Sequence, residues 1–157
     1  MNQKLLLGVV ATLFVGSIVL AYAPAPVYMP DGIPAKTNTI QQHELYVNDI
    51  ASYNKAMALA KTYGKPILFH ATASWCPACE YNETNIYKSF AAQNHLNKFT
   101  VITFDASDIT DGNKALMAKL GIFGVPEAIV YNKDGQQLTT VVGAISLDRF
   151  IIQTNVK

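Results

Sequence analysis

The chain contains two cysteines, Cys76 and Cys79, with only Pro77 and Ala78 between them. That spacing constrains the fold more than any other feature. A bridge across so short a loop removes about half the chain entropy that a long loop would remove, so it is a poor staple. Domains built on disulfides use more cysteines and close longer loops. This chain must therefore rest on an ordinary hydrophobic core, and the pair is better explained by reactivity than by stability. Half of the 157 residues are hydrophobic and 15% are charged, so the core is available. The length suits one domain with a short extension.

Cysteines at this spacing serve either metal binding or thiol–disulfide exchange. Zinc takes four ligands, from two such pairs or from one pair plus histidines. There is no second pair, and His43, His70 and His95 lack ligand spacing. No metal is expected, and redox chemistry is favoured. The net charge is +1 and the basic residues are scattered. Nothing forms the stripe that a phosphate backbone demands, so nucleic acid is not an expected partner. Without a Gly-rich phosphate loop or dinucleotide fingerprint no cofactor is expected, and electrons must come from the thiols of another protein.

Lys4 precedes an apolar run from Leu5 to Tyr22, broken only by Gly8, Thr12, Gly16 and Ser17. A basic start before such a run is the pattern of an export signal. At about 18 residues the run is borderline for spanning a hydrocarbon core of roughly 30 Å. Two fates are open for residues 1–23: cleavage before Tyr22, or retention as an N-terminal membrane anchor. Membrane contact is expected only through residues 5–22 of an uncleaved chain. A buried core helix is the competing reading. The absence of acidic residues before Asp31 and the proline-rich exit argue against it. Residues 24–40 hold four prolines and a glycine and read as an extended linker, with the folded domain over 41–157.

Within that domain the pattern alternates. Leu45 and Val47 suit a short strand, and Asp49 to Tyr63 an amphipathic helix ended by Gly64 and Pro66. Ile67-Leu68-Phe69 opens a buried strand towards Ala73, and a helix starts near Cys76. A strand over Phe99–Phe104, a helix through Ala115–Leu120 and a strand over Ala128–Tyr131 follow. Asp134-Gly135 marks a hairpin into Leu138–Val142, and Ser146 is an N-cap for a last helix. The order predicts an α/β fold with a central mixed β-sheet flanked by helices. Phe69, Phe90, Phe99, Phe104, Tyr131 and Phe150 are assigned to its core.

A cysteine pair at a helix N-terminus has defined chemistry. Unpaired N–H groups and the helix dipole favour an anion, so the Cys76 thiol is expected to be depressed in pKa and partly thiolate. The thiolate is the attacking species in disulfide exchange. Cys79 lies nearly one turn later on the same face, placed to attack a mixed disulfide on Cys76. Pro77 fits the first turn, where its missing N–H leaves no bond unmade. Trp75 would flank the exposed sulfur with a flat apolar surface.

Trp75-Cys76-Pro77-Ala78-Cys79 matches the WCxxC motif of the thioredoxin family, which residues 66–143 resemble. Phe104–Asp111 and Leu120-Gly-Ile-Phe-Gly-Val-Pro126 are most similar to the branch formed by the C-terminal periplasmic domain of DsbD disulfide reductases. The resemblance implies a thioredoxin-like fold and a redox-active disulfide Cys76–Cys79, with Cys76 the nucleophile and Cys79 the resolving cysteine. It also implies that Pro126 is a cis-proline facing the disulfide, where the general prior for cis X–Pro is only about 5%. Glu83, four past Cys79, falls on the cysteines' side by helical spacing, and the resemblance places a carboxylate there too. Such an anion would raise the Cys79 pKa and could relay its proton. The alternative is a solvated helix-face glutamate. His70 stands where the family often has a buried aspartate, and is either a base for Cys79 or a hydrogen-bonded core histidine. Glu127 replaces the threonine common after the proline.

The function expected is that of an exported protein-disulfide reductase of the bacterial periplasm, soluble or anchored to the inner membrane. Its partners would be protein thiols and disulfides, with a membrane electron donor, and the chain would act as a monomer. Two rivals remain: an oxidant of the same fold, and a thioredoxin-like binding or chaperone module with a structural disulfide.

Overall fold

The computed structural model of the chain describes residues 35–38 and 42–155. The segment expected to direct export, 1–23, lies outside them, as does the linker up to residue 34. Among the described residues no helix is long and apolar enough to cross a membrane.

The described residues form β1 (Ala35–Asn38), β2 (Gln42–Val47), α1 (Ile50–Thr62), β3 (Ile67–Thr72), α2 (Pro77–Tyr81), a π-helical segment (Asn82–Tyr87), α3 (Lys88–Ala92), a 3₁₀ turn (Leu96–Lys98), β4 (Thr100–Asp105), α4 (Asp111–Leu120), β5 (Glu127–Tyr131), β6 (Gln137–Val142) and α5 (Leu147–Thr154). They form one sheet in the order β1-β2-β4-β3-β5-β6. β2, β4 and β3 are parallel, and β1, β5 and β6 pair antiparallel to their neighbours. The expected mixed sheet is present. β3 lies at its centre, which is why Ile67 to Ala71 is an unbroken buried run rather than an alternating one.

Local signals set the helix starts. Asp49 caps α1: its carboxylate accepts from Ser52 N at 2.7 Å while Asp49 N donates back to Ser52 Oγ at 3.1 Å. Thr110 and Ser146 cap α4 and α5 more simply, their hydroxyls accepting from Asn113 N and Arg149 N. α4 ends on Gly121 at φ 70°, a left-handed position that favours glycine.

The sheet separates two apolar layers. On one face Leu45, Phe69, Ile102, Phe104 and Ile129 pack with Tyr53, Ala56 and Ala60 of α1 and Leu116 of α4. On the other, Leu68, Val130 and Val141 pack with Ile86, Phe90 and Phe150. All six aromatic residues assigned to the core are buried.

Two features depart from expectation. Residues 35–38, read as the end of the linker, form edge strand β1, so the sheet begins before residue 41. Ala-Lys-Thr-Asn carries no apolar alternation, and pairing with β2 is what makes it a strand. The helix after Cys76 also changes register: Lys88 N donates to Glu83 O, a π-type step five residues back.

Candidate functional site

Central strand β3 ends at Thr72, at the C-terminal end of the parallel strands, and the turn through Ala73–Trp75 leads into α2. Cys76 is the N-cap of α2, with extended backbone (φ −103°, ψ 107°). Its Sγ accepts from Cys79 N at 3.1 Å, and its carbonyl accepts from Cys79 N and Glu80 N at 3.0 and 3.1 Å. Pro77 occupies the first helical position, where no N–H is needed. Cys76 and Cys79 are joined in a disulfide with Cα atoms 5.2 Å apart. Cys76 is 6% exposed and Cys79 1%, so the outer sulfur is the one at the helix N-terminus.

Pro126, forty-seven residues further on, comes to the same place. The Val125–Pro126 peptide is cis, and the Val125 carbonyl oxygen lies 3.5 Å from Cys76 Sγ. Trp75 is 60% exposed beside the disulfide. Its indole N–H donates to Ser107 O at 3.1 Å, which fixes the ring over the loop after β4. Ser107 Oγ accepts from Ser74 N at 2.7 Å and donates to Asp105 Oδ1 at 2.5 Å. Asp105 and Ser107 were not singled out from the sequence, although they lie in the Phe104–Asp111 stretch that carries the resemblance.

Asn113 holds that loop in turn. The buried amide donates to Asp105 O at 3.1 Å and Asp108 O at 2.8 Å, and accepts from Thr110 Oγ1 at 2.7 Å. Asn113→Ala leaves two carbonyls without their donor, so it is expected to destabilise the domain by about 1–3 kcal/mol. Urea unfolding would read the loss, and an unchanged midpoint would remove Asn113 as the strut of the loop.

A cleft of about 340 Å³ opens beneath the motif, lined by Thr72, Ala73, Ser74, Cys79, Glu80, Glu83 and Asp105. Glu83 thus shares a cavity with the inner cysteine. Partial burial and the nearby Glu44 carboxylate push the Glu83 pKa up, against a smaller opposing effect of Lys88. Behind Glu83 sits His70 on β3, whose Nδ1 is 3.7 Å from Glu83 Oε1. The His70 ring lies against that of Tyr87, with centroids 4.2 Å apart. Burial pushes the His70 pKa down to about 4. At neutral pH the contact therefore joins a neutral imidazole to a carboxyl group and is not an ion pair. Glu127 is buried at the start of β5, and burial raises its pKa. No group of three or more His, Cys, Asp or Glu that could hold a metal ion occurs among the described residues.

A family model described as a thioredoxin-like domain matches residues 53–155. The chain is 28% identical over 145 residues to the thiol:disulfide interchange protein DsbD of Pectobacterium atrosepticum, covering 90% of this chain and 24% of that protein. It is 25% identical over 120 residues to DsbD of Neisseria meningitidis, covering 75% and 20%. The chain therefore spans a quarter or less of the length of these relatives. Among solved structures, the oxidised C-terminal domain of Neisseria meningitidis DsbD superposes with a TM-score of 0.60 at 24% identity, over 68% of this chain and 94% of that one. Fasciola hepatica thioredoxin superposes with a TM-score of 0.55 at 19% identity, over 69% and 94%. At these identities the superpositions establish the fold, which is thioredoxin-like.

Proposed function

Since the chain belongs to the thioredoxin-like domain family, we propose that it is an exported thiol–disulfide oxidoreductase that reduces disulfides of partner proteins through Cys76 and Cys79. The observation that carries this reading is the pair's placement: Cys76 Sγ is at a helix N-cap, receiving an N–H at 3.1 Å, with Cys79 enclosed behind it. In the reduced protein the same N–H would stabilise a Cys76 thiolate. That thiolate attacks one sulfur of the substrate disulfide, and the electron pair of the broken bond leaves with the other sulfur. The Cys79 thiol then gives its proton to Glu83, attacks Cys76 Sγ, and expels the second substrate sulfur as thiolate. The substrate gains two electrons and, from solvent, two protons; the pair returns to the disulfide.

Regeneration needs a dithiol donor. The similarity to DsbD and the export pattern of residues 1–23 support a membrane-held donor and a periplasmic location. β1 begins with Ala35 opposite Leu45, near the end of β2 that faces the disulfide. The chain thus enters the described domain at the reactive edge of the sheet.

Reductase and oxidant differ in potential rather than in chemistry. Equilibrating the Cys76/Cys79 couple in a redox buffer at about pH 7 is expected to give a value near or below about −230 mV. A value near about −120 mV would make the protein an oxidant and reverse the electron flow assigned here.

A further inference from the structure

His70 is a buried titratable group in contact with a residue of the reactive cleft, and the exchange chemistry does not use it. Its surroundings define which nitrogen carries the proton. Nδ1 faces Glu83 Oε1 at 3.7 Å, whereas Nε2 is fully enclosed without a hydrogen-bond partner. A neutral imidazole has one N–H. With the proton on Nδ1, the N–H dipole lies 3.7 Å from a carboxylate oxygen, an electrostatic contact longer than a hydrogen bond. With the proton on Nε2 it is buried without an acceptor, and a lone pair is set against the carboxylate. The first tautomer wins on both counts. The Tyr87 ring packed at 4.2 Å fixes the plane of the imidazole.

Both contacts to His70 come from the π-helical segment. It spans Asn82–Tyr87, so both Glu83 and Tyr87 are supplied to His70 by the same widened turns. Glu83 is half-exposed and lines the cleft that also contains Cys79. Glu83 thus has a β3 imidazole 3.7 Å from one carboxylate oxygen and shares its cleft with the inner cysteine.

We propose that His70 is a positioning residue: its Nδ1–H holds Glu83 in place as the proton acceptor for Cys79 during resolution of the mixed disulfide. The inference rests on the exchange reading above and deepens it. The step balances as follows. The Cys79 S–H proton passes to the Glu83 carboxylate, the sulfur pair forms the bond to Cys76, and the partner's sulfur leaves with the electrons of the broken bond. Glu83 then returns the proton to water. His70 neither gains nor loses a proton, in keeping with a pKa that burial lowers to about 4. The other ionisable groups around the pair are Tyr87 from the π segment, Glu44 and Tyr46 from β2 and Lys88 from α3, with Glu80 of α2 and Asp105 of β4 lining the same cleft. In the sheet itself His70 is flanked by the neutral Thr103 and Ala128.

The test uses the full chain carrying a mixed disulfide between Cys76 and glutathione, with release of the glutathione thiol followed against pH. His70→Leu is expected to slow release about tenfold or more near neutrality and to displace its pH profile upward. Alkylation of Cys76 in the reduced chain should change by less than about twofold. His70→Asn, which keeps an N–H donor, should restore most of the rate. Glu83→Gln should give the same defect, and adding His70→Leu to it should slow release no further. An unshifted profile in His70→Leu, or a defect that adds to that of Glu83→Gln, would overturn the positioning role. No release from the wild-type chain would instead overturn the exchange reading, and the positioning role with it. A second measurement is independent of any variant: nitrogen NMR of the wild-type imidazole should find the neutral Nδ1–H tautomer from about pH 5 to about pH 8. An Nε2–H tautomer or an imidazolium near neutrality would overturn the proposal.

Discussion

Cys76→Ser is expected to reduce turnover with a disulfide substrate by roughly three orders of magnitude or more. The serine keeps the N-cap geometry and can still accept from Cys79 N, so the fold should be intact. A hydroxyl is not ionised at neutral pH, and no attacking anion forms. Cys79→Ser should behave differently. Cys76 still attacks, but nothing enclosed behind it can displace the partner, so a covalent adduct accumulates. Mass spectrometry of the two variants after mixing with a disulfide-bonded protein would separate the roles. An adduct on Cys79 in the Cys76→Ser variant, with none in Cys79→Ser, would invert them. The expectation follows from burial: Cys79 is 1% exposed and Cys76 is the sulfur that faces the helix N–H.

The second large effect concerns the core that holds β3 in place. Phe69 is fully buried on that strand, edge-on to Tyr53 at 5.8 Å and stacked with Phe104 at 6.3 Å. Phe69→Ala removes the ring and leaves a cavity between the sheet and α1, which should cost about 3–5 kcal/mol. Against a typical stability of about 5–15 kcal/mol, that is enough to leave the domain marginal or unfolded at room temperature. Denaturant titration would measure it. Phe123→Ala is the control: that ring is 97% exposed, so its loss should change stability by less than about 0.5 kcal/mol. A comparable loss in both variants would mean that the aromatic layer around Phe69 does not carry the stability assigned to it.

Much of the architecture could be read along the chain because it depends on neighbours in sequence. Asp49 and Ser52 are three apart and close the capping box themselves. Asp134-Gly135 makes its own turn, with Gly135 at φ 84°. The run from Ile67 is apolar on both faces because a central strand is buried on both. Cys76 and Cys79 needed only their spacing to be singled out, and Pro77 only its fit to a helix start. The edge strand β1 was missed for the opposite reason: nothing in Ala-Lys-Thr-Asn prefers extended structure until β2 offers its hydrogen bonds.

The site divides along the same line. Regular helical spacing puts Glu83 on the cysteines' side. It does line the Cys79 cleft, but through a segment that becomes π-helical from Asn82. Whether His70 was a base or a core histidine could not be read from its position in the chain. The answer depends on Glu83 and Tyr87, thirteen and seventeen residues away, and on burial that lowers its pKa. Ser107 is invisible in the sequence because its hydrogen bonds to Ser74 and Trp75, across more than thirty residues, leave no periodic trace, and Asp105 reaches them only through its bond to Ser107.

The cysteine spacing, the Ser146 cap, the Asp134-Gly135 hairpin and the strand core are legible along the chain, since short-range sterics, capping and apolar periodicity act within a few residues. Folding alone brings the Val125 carbonyl to 3.5 Å from Cys76 Sγ, Ser107 against the motif, and His70 to Glu83. Those contacts join different strands and loops. Their electrostatics depend on how much water the packed chain excludes, a quantity fixed only when the sheet and its two layers close.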